Sequence, residues 1–73
     1  MRYAVVIEKG PTSFGAYVPD LPGCVAAAAS LDEVRTLISE AIDLHLQDLR
    51  SRGSAVPAPS SLAEYVEAAA TAT

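Results

Sequence analysis

The sequence is short of the residues that most catalytic and metal chemistry uses. Its 73 residues include one cysteine and one histidine. Cys24 has no partner for an internal disulfide, and Cys24 with His45 is too small a ligand set for zinc. No cofactor or metal is expected on that count. A lone thiol suits a reducing, intracellular setting. Basic residues are also few: five Lys and Arg against nine Asp and Glu give a net charge of −4. That sign is wrong for a chain that grips a nucleic-acid backbone directly, and right for one that meets a basic protein. No apolar run approaches the roughly 18 residues of a membrane span, and Met1-Arg2 leads straight into a strand-like segment rather than a leader. A cytoplasmic, soluble protein is the expectation.

What is present is one small domain with a thin core. A 7.6 kDa chain should expose roughly 4,300 Å2 when folded, against roughly 11,000 Å2 extended. Half the sequence counts as apolar, but 14 of those residues are alanine, and Val, Ile, Leu and Phe together number 18. That suffices for folding and leaves little in reserve, so association with a second copy or a partner is expected.

Arg2 to Glu8 reads as a strand, with Tyr3, Val5 and Ile7 on one face. Lys9 to Ser13 is a turn cluster, and Phe14 to Val18 resumes the strand pattern to form a hairpin. Pro19 ends that strand. Pro19-Asp20-Leu21-Pro22-Gly23 must then turn stiffly, with Asp20 bonding nearby backbone and Gly23 taking a positive φ. Cys24 to Ala27 reads as a short third strand. Ser30-Leu31-Asp32-Glu33 is a capping box that opens a helix running to about Arg52, with Gly53 as its stop. Leu31, Val34, Ile38, Ala41, Ile42 and Leu49 share one helix face; Leu37 and Leu44 widen it on one side and Leu46 on the other. The resulting arc of about 200° exceeds the stripe one sheet covers, so one of Leu44 and Leu46 should lie outside the intrachain core. Pro57-Ala58-Pro59 interrupts any regular element, and residues 61–68 read equally as a short helix or an edge strand. Residues 68–73 are expected to fray.

This succession resembles the HicB family of antitoxin-like proteins. The residues that carry the resemblance are Tyr3 and Glu8, Tyr17-Val18, Pro19 to Cys24, Ser30 to Glu33, Ala41 to Leu46 and Pro57-Ala58-Pro59. The likeness spans residues 1–67. It implies an α+β fold of order β-β-β-α-β, a partial ribonuclease-H-like unit with a small antiparallel sheet and one amphipathic helix on one face. It also implies a small, basic, RNA-cleaving toxin of the HicA type as partner, neutralised by occlusion. Two departures qualify the match. Ala28-Ala29-Ser30 stands where relatives commonly carry Gly-acid-Thr, and the residues after the helix are too few for the C-terminal DNA-binding domain that many such antitoxins add. Operator binding by this chain alone is therefore not expected.

The candidate interface residues are Asp20, Leu21 and Pro22 in the loop and Leu44, His45 and Leu46 on the helix. The loop reads first as a rigid turn that sets strand register and second as a docking element, and both roles can hold at once. His45 sits near the centre of the apolar stripe, three residues from Asp48, and nothing in the sequence supplies it with a nucleophile. The strands offer only Glu8 as a carboxylate, so a two-metal nuclease centre cannot be assembled from them. The reading is a non-enzymatic binding module, homodimeric or larger, that neutralises a HicA-type toxin. The alternative is a self-associating or small-ligand domain with no toxin.

Overall fold

The computed structural model describes residues 1–69. Three strands, β1 (Val6–Lys9), β2 (Phe14–Tyr17) and β3 (Val25–Ala28), are followed by one helix, α1 (Leu31–Ser51). The sheet is an antiparallel meander of order β1-β2-β3, so β3 is one of its edges. Register follows the two-residue alternation of the side chains. Ile7, Ala16 and Ala26 line up across the sheet on the covered face, and Val6, Tyr17 and Val25 line up on the open one. Helix α1 packs on β3 and β2. The core comprises Ala16, Val18, Leu21, Cys24, Val34, Ile38 and Leu46, with Tyr3, Val5, Ile7, Phe14 and Leu49 packed around it.

Both ends of the helix are built as the sequence implies, with one change of detail. The Ser30 hydroxyl accepts from the Glu33 N–H at 3.1 Å. The Glu33 carboxylate accepts from the Ser30 hydroxyl at 3.0 Å rather than from the Ser30 backbone. At the other end Ser54 N–H donates to the Leu49 carbonyl and Gly53 N–H to that of Arg50, the paired bonds of a Schellman stop. Gly53 holds φ at 69°, which a side chain would penalise.

The β2–β3 connection consists of two consecutive turns. Leu21 N–H donates to the Val18 carbonyl and Cys24 N–H to the Leu21 carbonyl, each at 3.0 Å. Pro22 and Gly23 are the central residues of the second turn, and Gly23 has φ of 85°, as a type II turn requires. Leu21 is wholly buried and pins the loop to the core.

The expected final strand does not form among the described residues: 54–69 contain neither helix nor strand. The first part still returns to the domain, with Val56 packed on the core and the Pro57 carbonyl accepting from the Tyr3 hydroxyl. Pro57 and Pro59 lack the N–H groups a ladder needs, so the segment lies against the domain without joining the sheet. The expected fraying of 68–73 falls mostly on residues 70–73, outside the described residues.

A candidate protein-binding surface

Asp20 leaves its own turn and reaches forward some forty residues. Its Oδ2 accepts from the backbone N–H groups of Ser60 at 2.8 Å and Ser61 at 2.9 Å. Its Oδ1 accepts from the Ser60 hydroxyl at 3.1 Å and the Ser61 hydroxyl at 2.7 Å. Four donors therefore converge on one carboxylate. The Ser61 N–H, then the Ser60 N–H and the two hydroxyls, favour its charged form and hold its pKa at about 2. The local backbone bonds expected of Asp20 are replaced by this long-range clamp. Ser60 and Ser61 carry no signal in the sequence, because two adjacent serines after a Pro-x-Pro read as linker.

Beyond the clamp, residues 62–69 mix exposed apolar side chains with Glu64 and Glu67. Leu62 and Val66 stand largely exposed and Tyr65 fully so. A second apolar surface lies between the β3 edge and the helix, where Val25, Ala26 and Ala27 face Leu37, Ala41 and Leu44, with Glu40 on the rim. Leu44 is 65% exposed there, whereas Leu46 is 8% exposed and belongs to the core. This resolves the choice between the two leucines. Leu37, which the helix periodicity put on the same side as Leu44, is also exposed, and Val25 joins them from the outward face of β3.

The candidate interface residues thus separate by environment. Leu21 and Leu46 belong to the buried core. Pro22 is exposed, Leu44 lines the groove, and His45 is half-buried. Asp48, the expected neighbour of His45, instead accepts from Arg52 Nε at 3.0 Å and pairs with its Nη2 at 2.9 Å. Cys24 lies in the core, where burial pushes its thiol pKa up and away from reactivity. Among the described residues no three His, Cys, Asp or Glu side chains gather as metal ligands. Asp32, Glu33, Glu40 and Asp43 all point from α1 into solvent.

Comparison with known proteins identifies the family. The family model described as "HicB_like antitoxin of bacterial toxin-antitoxin system" matches residues 3–72. The chain belongs to the HicB-like antitoxin family. A chain of a solved HicA3 and HicB3 toxin-antitoxin complex superimposes with a TM-score of 0.70 at 29% identity, covering 81% of this HicB-like chain and 69% of that one. Among curated relatives, a UPF0150 protein of Archaeoglobus fulgidus is 46% identical over 64% of this chain and 70% of its own length. A UPF0150 protein of Helicobacter pylori is 43% identical over 70% of this chain and 71% of its own. An uncharacterised 14.9 kDa protein from the rep-hol intergenic region of Haemophilus phage HP1 is 30% identical over 90% of this chain, which spans half of the phage protein.

Proposed function

We propose that this HicB-like domain is an antitoxin that neutralises a HicA-type toxin by covering the toxin's RNA-cleaving surface. The observation that carries the reading is the superposition on a chain of the HicA3 and HicB3 complex, which supports a partner of the HicA type. Physical support comes from the net charge of −4 and from the exposed carboxylates along α1, which suit a basic, RNA-binding partner. Neutralisation by occlusion needs no chemistry from this chain, and the work is done in the cytoplasm, where the toxin meets its RNA. The exposed apolar surfaces at Leu37 and Leu44 favour self-association alongside toxin binding.

The test is functional. A HicA-type toxin encoded beside this chain is expected to arrest growth alone, to be silenced by co-expression of this protein, and to lose RNA cleavage in a purified mixture. Continued cleavage with the antitoxin in molar excess overturns the reading.

A further inference from the structure

Two apolar features of the described chain are unpartnered, and each is suited to the other. The first is the segment after the clamp. It is extended, its root is fixed at Ser60 and Ser61 by Asp20, and it carries Leu62, Tyr65 and Val66 in solvent. The second is the β3 edge with the groove beside it. Natural edge strands are protected by charges, proline or bulges. Val25–Ala28 has none of the three and pairs only with β2.

We propose that two copies of this chain exchange these segments, residues 62–66 of each lying as an added strand along β3 of the other, with Tyr65 seated between Leu37 and Leu44. Alternation along a strand puts Ala63 and Tyr65 on one face and Leu62, Glu64 and Val66 on the other. With Tyr65 turned into the groove, Leu62 and Val66 lie on the open face of the sheet, the side that carries Val6, Tyr17 and Val25. Glu64 then stays in water, away from Glu40 at the groove rim.

A second copy is the occupant because one two-fold contact satisfies both features twice, without a partner of different chemistry. The edge itself is uncharged and so offers nothing that selects a charged partner. The chain exposes 5587 Å2, against about 4,300 Å2 for a compact monomer of its mass, the excess expected of a domain that carries an extended, undocked segment. The Asp20 clamp lowers the entropy cost of docking, because the segment leaves the domain from a fixed point.

This inference rests on the self-association reading and is independent of the toxin. It is tested by sedimentation of the full chain alone at micromolar concentrations, with helix content followed by far-UV circular dichroism. The native chain should sediment as a dimer. Tyr65→Asp and Leu44→Lys, both at exposed positions, should each sediment as folded monomers. The mixture of the two variants should regain a dimer, since one contact is intact and the other brings opposite charges together. A monomeric native chain overturns self-association itself. A dimer that survives Tyr65→Asp, or a mixture that stays monomeric, overturns the exchange while leaving toxin neutralisation untouched.

Discussion

Asp20 binds four donors through two oxygens, and this division of labour makes it sensitive to the smallest substitutions. Asparagine keeps the shape but replaces one acceptor oxygen with an NH2 group that would face donors from Ser60 and Ser61. In Asp20→Asn the Ser60 and Ser61 amides should therefore exchange with solvent faster, while amides of β2 and α1 keep their protection. Unchanged exchange at Ser60 and Ser61 would mean that the clamp does not hold in solution. Acid should do the same without mutation. The carboxyl pKa in the folded chain is about 2, below its ordinary 3.8, so the clamp contributes fully above about pH 4 and fades as pH falls towards 2. Amide exchange at Ser60 followed through that window reads the loss directly. Much of this was hidden in the sequence. The turn itself was legible, because proline and glycine at these positions leave few alternatives, and Gly23 does take its positive φ. The clamp was not, since nothing local in Asp20 or in a pair of serines announces a contact across forty residues.

At the scale of the element, the helix explains itself through one comparison. Leu44 and Leu46 are two residues apart and chemically identical, yet Leu46 is packed in the core and Leu44 is in solvent. Leu46→Ala should cost about 2–5 kcal/mol in chemical denaturation, the range for emptying a packed leucine site. For a 73-residue domain with a total stability of ~4–11 kcal/mol, that is a large share. Leu44→Ala should change the stability of the monomeric unit by less than about 0.5 kcal/mol, as surface changes do. Equal losses at both positions would contradict the packing. Helical periodicity exposed the problem of an over-wide apolar arc and left its direction open, because the side facing the sheet depends on strand register that the helix sequence does not contain. The sequence of residues 61–68 suits either a helix or a strand, and among the described residues it forms neither. Composition there was ambiguous, and the two prolines, which forbid the ladder, lie upstream of the residues that looked strand-like.

For the whole molecule, charge sets how the partner arrives. A surface at −4 should accelerate encounter with a basic toxin at low salt. Association rates with a HicA-type toxin are expected to fall steeply as salt rises, with dissociation rates changing little, in stopped-flow or surface-binding measurements. An on-rate indifferent to salt would assign recognition to the apolar contacts alone.

Beside the larger Ile7 and Phe14, the covered face of the sheet carries three alanines. Ala16 is buried, and Ala26 and Ala28 pack against the same core beneath α1. The helix consequently rests close to the strands, and a larger residue at any of these three positions would lift it. The groove between β3 and α1 has that spacing as its width. Its shape is thus set from below, by the methyl groups of Ala16 and Ala28 beneath it and of Ala26 at its floor. Divergence among relatives can retune which strand fits the groove through Ala-to-Ser or Ala-to-Val exchanges at these positions, with the exposed rim at Leu37, Glu40 and Leu44 left unaltered. Partner choice in such a lineage would drift through residues that a comparison of surfaces alone would pass over.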